Sequence, residues 1–388
     1  MSIPLPVQFT EYFESHNSTV VKNMLILGEA IFEAQTTNLN KAKDKVGQIT
    51  GNRATKPESN YKRLTRFFET QDKLEIVKGL LCVCMCLLSA DEQMKYLALD
   101  ATSWEFGDKK IHLLTLSVIY GGVSIPIWWE ELDKKGTSNF KERKRVIRNA
   151  SQYLSLEGLT LLADREYLGA KWFKYLKNKK IDFVIRLKAK AYKEQVDEAS
   201  QRAETKNYFQ KARYIKLERI AEFKRYQRCG VSKRIRIDGQ TYTFVIFKNP
   251  KADAKEPLFY YISTLKDKRD VINAYPIRWK IESCFKHLKS NGFRLEDMSL
   301  KDPLKIMLMM AIVVFLYVLC ICEGLKQLKK MKPSDSKKFK DGTITLTVSI
   351  FRKGLAYVHL KFNNLRTFVR YLRTILKHKN LLFLQNVQ

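Results

Sequence analysis

The chain has 388 residues, 45% of them hydrophobic, so it can bury a substantial core in two or three structural units. Lysine and arginine number 71 against 40 acidic residues, and the formal net charge of +31 favours nucleic acid as a partner over an anionic membrane surface or a ribosomal environment. The seven cysteines are odd in number and mostly lie in apolar runs, which excludes a disulfide framework and predicts a reducing cytoplasm.

Residues 1–92 are predicted to be helical. Apolar residues recur at helical spacing in two stripes, Val20, Met24, Leu27 and Ile31, then Leu74, Val77, Leu81, Cys84 and Leu88. Between them Ser59 is a candidate N-cap of a short helix that carries Lys62, Arg63 and Arg66. A basic helix fits a DNA groove and a solvated surface equally well. We interpret 1–92 as a helical DNA-binding region.

The pattern after residue 92 changes to strands. The segments MKYLALD, KIHLLTLSVIY and VSIPIWW predict three consecutive strands, and Pro126 favours an edge position for the third. A helix around 140–153, the strand LTLLAD, a helix around 169–176 and the strand IDFVIRLK follow. The order β-β-β-α-β-α-β predicts an α/β core with a mixed sheet, formed by residues 93–188 and 258–300.

Two further segments complete the chain. Residues 189–257 are charged and alternate like a half-exposed sheet, which predicts a β-rich insertion. Residues 301–388 are predicted to be helical, apart from a hairpin around Asp341 and Gly342. Within them Ile306 to Cys322 is uncharged and just long enough to cross a bilayer, but we prefer a buried helix because it would be the only such segment in a strongly charged chain.

Two aspartates stand where predicted strands end. Asp100 closes KYLALD and Asp164 closes LTLLAD, so each carboxylate is expected at an edge of the sheet where a crevice can open. Carboxylate oxygens suit Mg²⁺ or Mn²⁺. Taken singly, each aspartate is better explained as a turn or helix-cap residue than as a metal ligand. Asp108 and Glu166 are rival carboxylates with a less specific position.

The helix predicted after LFYYIST, with Pro276 in its first turn, carries one carboxylate among cations. Arg278, Glu282 and Lys289 are four and seven residues apart and share a face, which Tyr275 would extend. The apolar residues Ile277, Ile281, Cys284 and Leu288 lie on another face, so the charged face is expected to point outward. A metal ligand beside DNA phosphates needs this arrangement, although an exposed helix with an Arg–Glu pair would have the same sequence.

The pattern Tyr-x2-Arg-x3-Glu-x6-Lys, present as Tyr275, Arg278, Glu282 and Lys289, resembles the signature of the bacterial DDE transposases called insertion sequence family four. The contexts LALDATSWEFG around Asp100 and LLADREYLG around Asp164 are similar to those of the first two catalytic residues of that family. The resemblance covers about residues 90 to 300. The N-terminal and C-terminal regions are similar only in general character.

The resemblance implies an RNase H-like catalytic core interrupted by the β insertion, with a C-terminal region that serves dimerisation or synapsis. It implies that Asp100, Asp164 and Glu282 hold two Mg²⁺ or Mn²⁺ ions, and that Tyr275, Arg278 and Lys289 bind DNA phosphates. Supporting residues are Thr102, Arg165, Trp279 and Lys286.

The implied activity is cleavage at transposon ends and strand transfer. Water is the first nucleophile, and a 3′-hydroxyl then acts, by way of a hairpin. The expected partners are double-stranded DNA, as terminal inverted repeats and as target, and a second copy of the chain in a synaptic homodimer. The expected location is the cytoplasm, at the bacterial nucleoid, with no membrane attachment. An RNase H-like nuclease, or a domesticated DNA-binding protein without strand transfer, is the alternative.

Overall fold

The computed structural model describes residues 5–14, 16–88, 94–132, 134, 136–187, 231–248, 258–330, 336–338, 344–361 and 364–377. The N-terminal helices are α1 (Val7–Tyr12), α2 (Ser18–Ala34), α3 (Leu39–Thr50), α4 (Pro57–Phe67) and α5 (Lys73–Leu87). The predicted stripes line the core, except that Leu74 is exposed and Val20 is half-buried. The predicted cap of α4 is wrong: its N-cap is Lys56, and Ser59 lies within the first turn because Pro57 starts the helix.

An eight-stranded sheet forms the centre of the fold. Its strands are β1 (Tyr96–Phe106), β2 (Lys109–Tyr120), β3 (Val123–Glu131), β4 (Thr160–Ala163), β5 (Asp182–Leu187), β6 (Val231–Ile237), β7 (Gln240–Lys248) and β8 (Leu258–Ser263). The order across the sheet is β3-β2-β1-β4-β5-β8-β7-β6. The first five strands have the RNase H-like order, with β2 antiparallel to β1 and β3, and with β4 parallel to β1 and β5. The predicted α/β class with a mixed sheet is confirmed.

Helices α6 (Phe140–Ala150) and α7 (Ala170–Asn178) connect these strands in the predicted order. Strand β3, which contains Pro126, lies at the edge of the sheet as expected. Of the predicted β-rich insertion, only the hairpin β6–β7 is described, and it pairs through β8 with the central sheet. Its strand YIKLERI lies outside the described residues.

The C-terminal half of the described chain is helical. After β8 come α8 (Lys268–Ala274), a 3-10 turn (Tyr275–Arg278), α9 (Trp279–Lys289), a 3-10 turn (Leu295–Asp297), α10 (Pro303–Leu328), β9 (Ser336–Lys338), β10 (Ile344–Leu346), α11 (Ile350–His359) and α12 (Leu365–Leu376). Strands β9 and β10 pair antiparallel, which confirms the predicted hairpin; its turn lies outside the described residues.

Helix α10 contains the apolar segment that is long enough to cross a bilayer. Within the most apolar 18 residues of this helix, 83% are buried inside the protein. Helices α5 and α11 lie against it, and Gly354 of α11 approaches so closely that an added Cβ would lie 1.7 Å from the Cys320 carbonyl oxygen. Burial of this helix by the rest of the chain supports its assignment as the central core helix, as the sequence predicted.

Candidate active site

Strands β1 and β4 place the two aspartates side by side. Their parallel pairing ends at Leu99 and Ala163, so Asp100 and Asp164 are the next residues on the two neighbouring strands. Asp164 follows β4 directly, as predicted. Asp100 does not end its strand: β1 continues to Phe106, paired with β2 alone, because the pattern of alternating burial extends beyond the aspartate. The two aspartates therefore lie where β4 stops and β1 continues.

The helical segment that carries the third carboxylate differs from its prediction. It begins at Lys268, with Asp267 as N-cap, rather than near Pro276. The 3-10 turn Tyr275–Arg278 contains the proline and leads into α9. A proline inside a continuous α-helix would leave a carbonyl without its partner, and the tighter turn accommodates it.

Arg278 does not point outward, so that part of the prediction is wrong. The residue is 4% exposed, because α9 lies against β1 and β3 and turns its charged face toward Asp100. One guanidinium nitrogen donates to Asp100 Oδ2 at 2.9 Å, and the other donates to Glu282 Oε1 at 2.7 Å. A single buried cation therefore bridges two of the three predicted catalytic carboxylates.

Asp164 joins the same group through Tyr275. The Tyr275 hydroxyl donates to Asp164 Oδ1 at 3.4 Å, and the backbone N–H of Arg165 donates to the same oxygen at 2.7 Å. Tyr275 is 5% exposed, and its ring lies 5.8 Å from the Arg278 guanidinium carbon. The three carboxylates and the tyrosine thus surround one arginine.

Burial and charge act against each other at this group. Burial raises the pKa of Asp100 to about 6; Arg278 and the Ala101 N–H lower it, while Glu166 and Glu282 raise it. Burial would lower the pKa of the Arg278 guanidinium, but Tyr275 and the three carboxylates raise it above its ordinary value. The arginine stays charged and offsets part of the cost of gathering three acids.

Hard divalent cations prefer carboxylate oxygens such as these. Among the described residues, no three acidic, histidine or cysteine side chains already form a cluster that could hold an ion. The bridging guanidinium nevertheless shows that Asp100 and Glu282 can share one cation, and Asp164 is the adjacent residue on the neighbouring strand. The donor set, three carboxylates, suits a divalent ion by its chemistry.

The remaining predicted site residues surround this group at different distances. Lys289 donates to the Ser103 carbonyl oxygen at 2.8 Å and pairs with Glu296 at 2.8 Å, so it is tied to β1 near Asp100. Lys286 is exposed on α9, and Trp279 is 54% exposed. Thr102 is buried on the same face of β1 as Asp100. Arg165 is half-buried, and its backbone N–H donates to Asp164.

Two contributors were missed by sequence reasoning. Arg143 of α6 is 6% exposed and donates to the Ser138 hydroxyl and to the carbonyl oxygens of Ser138, Glu166 and Leu168, so it holds the loop after Asp164. Glu166, treated as a rival, lies close enough to raise the pKa of Asp100. No sequence signal separates Arg143 from the other basic residues of its helix. Glu166, two residues after Asp164, had been considered only as a rival carboxylate.

Comparison with known proteins identifies the family of the chain. Residues 92–319, more than half of the chain, match the family described as Transposase DDE domain. A search of curated protein sequences gives no match. Among solved structures, a chain of the cryo-EM structure of the piggyBac transposase synaptic complex with hairpin DNA is similar with a TM-score of 0.44 and 12% identity, over 93% of this chain and 76% of that chain. A likeness of that size adds nothing to the family match.

Proposed function

Because the chain belongs to the transposases with a DDE domain, enzymes that act on DNA with divalent metal ions, we propose that Asp100, Asp164 and Glu282 are its catalytic carboxylates. The observation that carries the proposal is the shared cation: Arg278 binds Asp100 and Glu282 at once, while Asp164 stands beside Asp100 at the end of β4.

We infer further that the chain is a member of insertion sequence family four. The support is the spacing of Tyr275, Arg278, Glu282 and Lys289, together with the sequence contexts of the two aspartates. In this protein three of those four side chains contact one another or an aspartate of the site. The fourth, Lys289, is bonded to β1.

The proposed reaction is hydrolysis of a phosphodiester bond at each transposon end, followed by strand transfer. Two bound Mg²⁺ or Mn²⁺ ions would supply charge stabilisation of the attacking and leaving oxygens of an in-line displacement. The three carboxylates would hold these ions, and the strand would lie beside the end of β4. Water attacks the phosphorus, the bond from phosphorus to the 3′-oxygen breaks, and the cleaved DNA strand is left with a free 3′-hydroxyl.

That hydroxyl is proposed to attack the opposite strand and close a hairpin. After the hairpin is opened, the 3′-hydroxyl attacks target DNA, and each attack exchanges one phosphodiester bond for another without an added energy source. The hairpin follows from the family resemblance. The piggyBac synaptic complex contains hairpin DNA, but the weak likeness carries no argument for this chain.

Cations and aromatic residues beside the carboxylates are proposed to hold the DNA. Arg278, Lys289 and Tyr275 would contact phosphates near the cleaved end. Exposed Trp279 and Lys286 would extend this surface along α9, with Trp279 available for stacking on a base. Thr102 and Arg165 would support the two aspartates from β1 and from the loop after β4.

We propose only general roles for the other regions. Residues 1–92 would bind DNA, with the exposed residues Lys62, Arg63 and Arg66 of α4 as the contact surface. Residues 189–257 would be an insertion in the core formed by 93–188 and 258–300. Residues 301–388 would serve dimerisation or synapsis of two transposon ends. The protein would act at the nucleoid in the bacterial cytoplasm.

The test is cleavage of a duplex that carries the sequences flanking the coding region, with Mg²⁺ or Mn²⁺ added. Asp100→Asn, Asp164→Asn and Glu282→Gln should each lower the rate by about a thousandfold or more, because several kcal/mol of charge stabilisation are lost. Binding of the same duplex should stay close to that of the parent protein.

Asp108→Asn is the matched control, because Asp108 is exposed in the turn between β1 and β2. It should cut at the parent rate. Undiminished cutting by any of the three site variants would remove that residue from the proposal. Cutting without joining to target DNA would instead support the nuclease alternative.

A further inference from the structure

Arg278 occupies the position that a divalent ion needs. Its guanidinium is bonded to Asp100 and Glu282, two of the three proposed metal ligands. We propose that in the DNA-free protein Arg278 is a placeholder cation, which must leave these carboxylates before a divalent ion can bind between them. The inference rests on the proposed function and adds to it a competition between arginine and metal at one site.

The hydrogen bonds make the two states mutually exclusive at Asp100. Its Oδ2 accepts from Arg278 at 2.9 Å, and its Oδ1 accepts from the Ala101 N–H at 2.9 Å. Both carboxylate oxygens therefore already have a donor. A metal ion cannot coordinate the oxygen that faces Glu282 while the guanidinium remains there, because two cations would share one short-range position.

The structure also provides a route for the arginine to leave. Arg278 Nε is buried and has no hydrogen-bond partner among the described residues, so the guanidinium is not fully satisfied where it is. Its carbon lies 5.1 Å from the ring of Trp279, which is 54% exposed, and the Glu282 side chain is 40% exposed. The guanidinium thus lies beside two side chains that reach solvent.

A DNA phosphate is a suitable new partner for the released guanidinium, whose planar fork matches phosphate as well as carboxylate. The exchange leaves every charge compensated: a divalent ion replaces the arginine between the carboxylates, and a DNA phosphate takes up the guanidinium. The DNA-free protein should consequently bind metal weakly, and DNA should strengthen metal binding, since each ligand favours the same released state.

The experiment measures Mn²⁺ affinity of the full chain without DNA, at about pH 8, where carboxylates are ionised. Arg278→Gln should bind Mn²⁺ about tenfold or more tightly than the parent, because the ion no longer has to break two charge-assisted hydrogen bonds. Arg278→Lys should lie between, since an ammonium is a point charge and not a fork. Thermal unfolding of each variant reports whether it is folded.

Lys280→Gln is the matched control, because Lys280 is an exposed cation two residues away on α9. It should leave Mn²⁺ affinity unchanged. Equal or weaker affinity in Arg278→Gln, with Arg278→Lys folded and indistinguishable from the parent, would overturn the competition. An equal gain in Lys280→Gln would assign the effect to net charge and overturn it as well.

Asp100→Asn separates this inference from the proposed function. It should weaken Mn²⁺ binding in the parent background if the carboxylate is a ligand. Loss of affinity in Asp100→Asn without a gain in Arg278→Gln contradicts only the placeholder role. No change in Asp100→Asn contradicts the metal site itself.

Discussion

Two groups of carboxylates in the described residues differ in how their charge is compensated. At the sheet edge, Asp100 and Glu282 share the buried cation Arg278. On α2, Glu29 is 0% exposed, and within the described part of the chain neither of its oxygens has a hydrogen-bond partner. Its acidic neighbour Glu33 lies 3.5 Å from His359 Nδ1. One cluster is built to stay charged and the other is not.

The pKa values follow the same division. Burial, and then the charge of Glu33, raise the pKa of Glu29 to about 9, so this side chain is neutral at pH 7. The pKa of Asp100, also raised by burial, reaches only about 6, because Arg278 and a backbone N–H favour its charged form. A buried acid needs a compensating cation to remain an anion, and only an anion is a good metal ligand.

Removing the cation is expected to have the largest effect on stability. Arg278→Gln leaves Asp100 and Glu282 gathered without compensation, and should lower the free energy of unfolding by about 3 kcal/mol at pH 7. The loss should shrink as the pH falls toward about 6, because removal of the arginine raises the pKa of Asp100 further, so that this carboxyl takes up a proton in the variant before it does in the parent. The loss is measured by urea unfolding of the variant and the parent at a series of pH values.

Lys280→Gln provides the baseline for that measurement, because its free energy of unfolding should stay within about 0.5 kcal/mol of the parent value. A loss in Arg278→Gln that is no larger, or that does not shrink in acid, would mean that the buried ion pairs do not compensate the carboxylates.

Removing Glu29, the acid without a compensating cation, should instead raise the stability of the protein. The raised pKa means that Glu29 favours folding below pH 4.5, and that this contribution is lost as the pH rises through about 9. Glu29→Gln cannot ionise and avoids that loss, so it should be more stable than the parent by roughly 1 to 3 kcal/mol at pH 7. Urea unfolding should show a gap that widens from acid to alkaline pH.

Glu75→Gln serves as the control for Glu29→Gln, because Glu75 is exposed on α5 and paired with Lys78. Its stability should stay near that of the parent at every pH. A Glu29→Gln gap that is constant across pH would show that Glu29 ionises alike in the folded and unfolded chain.

The smallest effect is expected at the edge of the charged cluster. Tyr275→Phe removes the hydroxyl that donates to Asp164 over a long 3.4 Å, while the ring keeps its contact with Tyr261 at 4.7 Å between centroids. The free energy of unfolding should fall by about 0.5 kcal/mol. A loss as large as that of Arg278→Gln would place Tyr275, and not the arginine, at the centre of the cluster.

The succession of strands and helices along the chain and the approximate position of each acid could be predicted from the sequence, because alternation and apolar runs reveal where a chain enters and leaves a sheet. The positions of Asp164 after β4 and of Pro126 in the edge strand followed directly. The continuation of β1 beyond Asp100 did not, since a polar residue inside a strand looks like its end.

The burial of Arg278 could not be predicted for a different reason. Spacing along a helix gives the relative direction of side chains, but not which side the rest of the fold will cover. The apolar face of α9 predicted one buried side, whereas the helix is covered on two, with the arginine facing Asp100. Its start at Lys268 was missed because Pro276, which usually marks a first turn, lies in a 3-10 turn instead.

The central claim is that Asp100, Asp164 and Glu282 form one metal site. Its most direct test is the anomalous scattering of Mn²⁺ in crystals of the protein bound to DNA. We predict a peak, or an adjacent pair of peaks, within coordination distance of all three carboxylates, with the Arg278 guanidinium no longer between Asp100 and Glu282. Peaks elsewhere, or a DNA complex with Mn²⁺ present in which Arg278 still bridges these two carboxylates, would contradict the account.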